Sequence, residues 1–202
     1  MTDTRLAGRP LVLLGEAGSG KSELLRQWAG GPVATARQVI NGWQTSQRRS
    51  FVDGLDEAAG LQDGDALDRI LGALEAQRNT DFVLACRVAD WRSASSVETI
   101  RNWTGVAPVE LTIEPLGREE IVAFLRDRTE LDETEAKEFA EYFEARGFAE
   151  WLGNPQTLTM LGKVASGGTP PEATGDLFAQ FVDRSWAEHR KQNGGLAGAA
   201  KD

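Results

Sequence analysis

The chain is poor in the residues that build soft-metal sites, cross-links and membrane anchors. One cysteine, Cys86, excludes an internal disulfide, and a single histidine, His189, leaves no thiolate or imidazole cluster for zinc. Any metal is then a hard cation held by carboxylate, hydroxyl and phosphate oxygens. Long apolar runs are also missing. The longest aliphatic stretch, Leu11 to Leu14, has four residues, far short of the ~18 to 20 that a membrane helix needs. The N-terminus lacks a basic-then-apolar leader pattern, so no membrane association and a cytoplasmic location are expected. Positive charge is scarce, with 22 Lys and Arg against 31 Asp and Glu and a net charge of −9. A nucleic-acid backbone is therefore an unfavourable partner.

What remains is an ordinary globular composition, 41% apolar and 26% charged, in 202 residues: one large domain or two small ones with a real core. The strongest local signal is Gly15-Glu16-Ala17-Gly18-Ser19-Gly20-Lys21-Ser22, a G-x-x-x-x-G-K-[ST] pattern directly after Leu11-Val12-Leu13-Leu14. Glycines at these positions let successive backbone N–H groups turn inward toward an anion, and a following helix adds its positive end. Lys21 would place a charge at the β- and γ-phosphates, and Ser22 would offer its hydroxyl to Mg²⁺. The bland alternative is a glycine-rich turn.

Further along, a helix is expected from Ser22 to Trp28, closed by Gly30-Gly31, and a weak strand from Val33 to Ile40. Asn41 to Arg49 reads as polar loop, and Phe51-Val52-Asp53 as a short strand ending in an acid. Leu67, Ile70, Leu71 and Leu74 predict an amphipathic helix over 65–78 with Asn79 as its C-cap. Phe82 to Cys86 reads as a buried strand, Val88 to Pro108 as a mixed segment, and Val109 to Ile113 as the last strand. Strands alternating with helices argue for a parallel sheet covered on both faces.

From Pro115 the pattern is helical only. Helices are expected over 118–126, over 133–146 with a capping box at Asp132 and Glu135, and over 151–164 with Pro155 in or before the first turn. A linker follows at 166–171, a final helix at 176–191 and a frayed tail. The expected division is a nucleotide-binding core over 1–115, a helical module over 116–193 and a flexible tail over 194–202.

In a site of this kind a second acid, at the end of a neighbouring strand, holds the Mg²⁺ that bridges the phosphates. Asp53 fits, and Gly54 permits a sharp exit that brings Asp56 and Glu57 toward an attacking water, which one of them would orient. The alternative is a solvated acidic loop. Arg87 follows a buried strand at the edge where open α/β sheets bind ligands, and its planar fork suits a γ-phosphate. A surface arginine paired with Asp90 or Glu98 is the competing reading. Six tryptophans are expected mostly as core or interface anchors, with Trp91 and Trp103 as a candidate oligomer surface if both are exposed. Cys86 reads as a small buried residue rather than a nucleophile.

Taken together, Gly15 to Ser22, Phe51 to Glu57, Phe82 to Arg87, and Leu152-Gly153-Asn154-Pro155 with Leu158 resemble the NACHT-type branch of the STAND class of signal-transducing P-loop ATPases. The resemblance spans residues 8 to 190, and the D-G-x-D-E acidic run is its most discriminating part. It implies a P-loop NTPase of three αβα layers followed by a small helical lid, with ATP or ADP and Mg²⁺ as cofactors. Asp53 and Ser22 then bind Mg²⁺, Asp56 and Glu57 support slow hydrolysis, Arg87 senses the nucleotide, and Pro155 approaches the base or ribose. Protein partners or self-association through the NTPase module are implied too, and the family's roles in immunity and cell death bring microbial defence within range. Two departures stand out: Arg49 and Ser50 replace apolar residues before Phe51, and the interval from the phosphate loop to Asp53 is short. Both predict a strand near the sheet edge with a small or missing outer neighbour. No stretch after Lys191 holds the family's sensor and effector domains, which points to an isolated NTPase module or to partners in trans. A non-catalytic nucleotide-binding interaction module and a small-molecule P-loop kinase are the rival expectations.

Overall fold

The computed structural model describes residues 6, 8–44, 47–58, 66–129 and 131–165. The expected linker at 166–171, the helix at 176–191 with Trp186 and His189, and the tail lie outside these residues. The chain divides into two compact units, Met1–Glu114 and Pro115–Asp202.

Over its described residues the first unit is α/β. Its strands are β1 (Leu11–Gly15), β2 (Ala34–Thr35), β3 (Ser50–Asp53), β4 (Phe82–Arg87) and β5 (Val109–Thr112). They form one all-parallel sheet in the order β2-β3-β4-β1-β5. Its helices are α1 (Lys21–Ala29), α2 (Ala36–Ile40), α3 (Leu55–Ala58), α4 (Ala66–Ala76) and α5 (Ser93–Thr104). The connection leaving β1 runs across the sheet to the β2 edge, and every later connection runs back the other way. Right-handed crossovers then require α1 on one face and α2, α4 and α5 on the other.

Side-chain alternation agrees. Leu11, Leu13, Phe51, Val83 and Ala85 pack with Leu25 of α1. Val12, Leu14, Val52, Leu84 and Cys86 pack with Val39, Ile70, Leu74 and Ile100. Both faces are thus covered, an arrangement compatible with three αβα layers. β1 and the apolar part of β4 are buried throughout, as a two-sided parallel sheet demands.

The polar start of β3 has a local cause. Ser50 is fully buried, but its hydroxyl accepts a hydrogen bond from Asn79 Nδ2 at 2.8 Å, while Arg49 pairs with Asp81 and donates to the Leu6 carbonyl at 2.7 Å. As expected, β3 lies one strand from the edge, and its outer neighbour is only the two-residue β2.

Several readings need correction. Val33 to Ile40 is mostly helix: Thr35 caps α2 by accepting from Gln38 N at 3.2 Å, and Gln38 returns the bond at 2.8 Å. The mixed segment holds the twelve-residue α5, whose Ile100 is buried and whose end is the left-handed Gly105. At the end of α4, Arg78 with φ 54° takes the left-handed position, and Asn79 N closes the motif on the Leu74 carbonyl at 3.0 Å. Trp91 and Trp103 are not an exposed pair either. Trp91 is buried with its indole N–H on the Glu110 carboxylate, whereas Trp103 is exposed.

The second unit is helical over its described residues: α6 (Arg118–Arg128), α7 (Glu133–Glu144), α8 (Ala149–Leu152) and α9 (Pro155–Ala165). Its separate core joins Ile121, Leu125, Phe143, Phe148, Leu152 and Leu158. The Asp132 and Glu135 capping box forms, with Asp132 Oδ1 accepting from Thr134 N at 2.8 Å and Glu135 N at 2.9 Å. The helix expected over 151–164 is instead two, because Pro155 starts α9 rather than continuing α8. Among the described residues no helix is long and apolar enough to cross a membrane.

Candidate functional site

All five strands point the same way, so their C-terminal ends share one edge of the sheet. The ladder pairs Gly15 with Arg87 and Thr35 with Asp53, and Val52 with Leu84 one step earlier. The first loop, Asp53 and Arg87 therefore line one rim in the order β3, β4, β1. This is also the switch point of the sheet, where the connections from β1 and β4 depart in opposite directions, the place where open α/β folds accept ligands.

The loop from β1 to α1 is tightly wound. Gly18 and Gly20 have φ of 76° and 91°, left-handed values that other residues adopt only at a cost. Gly15 is crowded instead: a methyl on its α-carbon would lie 2.5 Å from Ser19 Oγ and 3.4 Å from Ile113 Cβ. Gly20 caps α1 without a side chain, so the N–H groups of the first turn receive no side-chain cap, a favourable setting for an anion. Lys21 Nζ folds over the loop and donates to the Gly15 and Glu16 carbonyls, both at 2.8 Å. Ser19 Oγ is buried with no hydrogen-bond partner among the described residues. Lys21 and Ser22 are half-buried, whereas Glu16 and Ala17 are exposed.

The acidic run forms one helical turn rather than a loop. Leu55 and Ala58 of α3 are buried, and of the two acids between them Glu57 is exposed whereas the Asp56 side chain is largely enclosed. Half-buried Asp53 makes no ion pair among the described residues. Gly54, with φ 74°, allows the sharp exit, and the Glu57 side chain lies over it. Asp56 Oδ2 lies 2.8 Å from Arg87 Nε, with side-chain exposures of 9% and 50%. The partner of Arg87 is thus neither Asp90 nor Glu98, and two of the candidate residues are in direct contact. Among the described residues no three His, Cys, Asp or Glu side chains form a group able to hold a metal ion by themselves.

Cys86 reports the local charge. Burial pushes its thiol up to about 12, with Asp56 and then Asp90 adding to the rise and Lys21 opposing it. Asp56 and Lys21 thus both lie close enough to act on this thiol. Its burial fits a packing role.

Arg37 was not foreseen from the sequence. Its Nη2 and Nε donate to the Glu57 carbonyl at 3.0 and 3.3 Å, pinning α3 from the first turn of α2. The Thr35-x-x-Gln38 capping signature could have revealed the helix that carries it. Pro155 belongs to the second unit, where it opens α9 behind Asn154, whose Oδ1 accepts from Gln156 N at 3.0 Å. No protein-family model matches the chain, and a search of curated proteins returns no match.

Proposed function

We propose that the chain is a Mg²⁺-dependent ATP- and ADP-binding switch module of NACHT/STAND type, a P-loop NTPase that hydrolyses ATP slowly and uses its helical unit as the moving lid. The observation that carries this reading is the Gly15–Ser22 loop at the end of a central parallel strand, with Asp53 and Arg87 on the same rim. Crowded Gly15, left-handed Gly18 and Gly20, and the unpartnered Ser19 hydroxyl suit a backbone cradle for phosphate. Lys21 is held at the loop by two carbonyls, which phosphate oxygens would replace as stronger partners.

Ser22 and Asp53 would hold the cation, whose contribution is to neutralise charge between phosphates. Of the two downstream acids, exposed Glu57 is the better placed to meet a water, because Asp56 is occupied by Arg87. A switch needs differential contact: a γ-phosphate reaches groups that ADP does not, and a full shift between two states takes about 5.5 kcal/mol. Self-association or protein partners through this module, and a defence role, belong to the same reading.

The test is a titration of the full chain with ADP and with a non-hydrolysable ATP analogue, both with Mg²⁺. Binding should vanish in Lys21→Ala, while Glu57→Gln should bind normally and lose turnover. Equal binding by the Lys21 variant would sink the proposal. A binding module without catalysis is the second reading, favoured by the Glu57 side chain resting on Gly54. It predicts Lys21-dependent binding with no turnover in the wild type.

A further inference from the structure

The ion pair between Asp56 and Arg87 is lopsided. The carboxylate is nearly enclosed at 9% exposure, the guanidinium is half in solvent, and the contact is made by Nε, the nitrogen nearest the side-chain stem. The contact is an ion pair, and no hydrogen bond or second ion pair of this guanidinium occurs among the described residues, so its two terminal nitrogens keep their donors. An arginine anchored at Nε presents the outer edge of a rigid fork, the edge that matches two phosphate oxygens.

Asp56 is a poor candidate for water activation in this setting. Its carboxylate already faces a fixed cation, and α3 holds it in place through buried Leu55 and Ala58 and the Arg37 grip on the Glu57 carbonyl. On the opposite side of Arg87 the ladder places Gly15, the first residue of the loop. Arg87 thus stands between its anchor on α3 and the loop.

Resting on the nucleotide-binding reading above, we infer that Asp56 is a positioning residue. It orients Arg87 so that the terminal nitrogens discriminate a triphosphate from a diphosphate, and it does not itself handle the attacking water. A bound γ-phosphate would then complete a carboxylate–guanidinium–phosphate row without breaking the existing pair. ADP reaches only the loop and Lys21.

The test compares ADP with a non-hydrolysable ATP analogue, each with Mg²⁺, on the full chain: wild type, Asp56→Asn, Arg87→Gln, the double variant, and Lys21→Ala as blank. Asp56→Asn and Arg87→Gln should each weaken analogue binding about tenfold, the scale of one charged contact, while ADP affinity stays unchanged and shows that the fold is intact. The double variant should lose no more than either single one. Analogue binding in Asp56→Asn equal to or tighter than wild type, or additive losses in the double, would overturn the inference while leaving the functional reading intact. Should Asp56→Asn fail to fold, Arg87→Gln alone decides: a chain that keeps the wild-type preference for triphosphate overturns the inference. Wild-type binding that does not depend on Lys21 removes the functional reading, and the inference with it.

Discussion

At the scale of single residues, chemistry on the rim depends on which groups are already engaged. Lys21 is tied to two carbonyls, Asp56 to Arg87, and the Glu57 backbone to Arg37, whereas Asp53 has no ion-pair partner among the described residues. Cys86 beneath them gives a probe that needs no nucleotide. Its thiol titrates near 12 in the folded chain against an ordinary value of 9.0, so the folded state binds the proton more tightly. The stability this contributes is fully present below pH 9 and is lost as pH rises toward 12, because the unfolded chain releases the proton first. Urea-unfolding free energy should therefore fall less steeply across that window in Cys86→Ala than in the wild type. Parallel pH profiles for the two chains would contradict the assignment.

At the scale of elements, the helix ends show where local rules hold and where tertiary structure overrides them. Arg78 occupies a left-handed position at the end of α4 that glycine takes at no steric cost. Arg78→Gly should raise stability by about 1 kcal/mol in denaturant titration; a loss would show that backbone strain does not set the energetics of this position. The strands were legible because parallel strands buried on both faces read as apolar runs, as at Leu11–Leu14 and Phe82–Cys86. α2 was misread because its five residues hold too little periodicity to outweigh the β-branched Val33, Thr35, Val39 and Ile40. α5 was missed because Ile100 is the one buried aliphatic anchor among its described side chains, the others being polar, half-buried or exposed. The sequence placed the loop, Asp53 and Arg87 at strand ends, but not the contact between Asp56 and Arg87. That pairing follows from the β3-to-β4 order and from the α3 turn, neither of which a local pattern encodes.

At the scale of the whole molecule, each of the two units carries its own core, so one unfolding transition is not presumed. ADP with Mg²⁺ should raise the transition that includes the first unit, by about 2.7 kcal/mol of stabilisation at a hundredfold excess over Kd. Differential scanning calorimetry should show no such rise in Lys21→Ala, and an equal rise there would locate binding elsewhere. The shape of the sheet bears on how copies of the chain could associate. β2 closes one side with two residues, both already paired to β3, and the chain turns at once into the capped α2. An incoming strand would find almost no backbone ladder there, against the five or six residues of an average strand. Among the described residues that margin is thus poorly suited to the edge-to-edge growth that long bare strands invite, and a strand-mediated joining of copies would fall to the opposite margin at β5, where Glu110 and Thr112 are exposed.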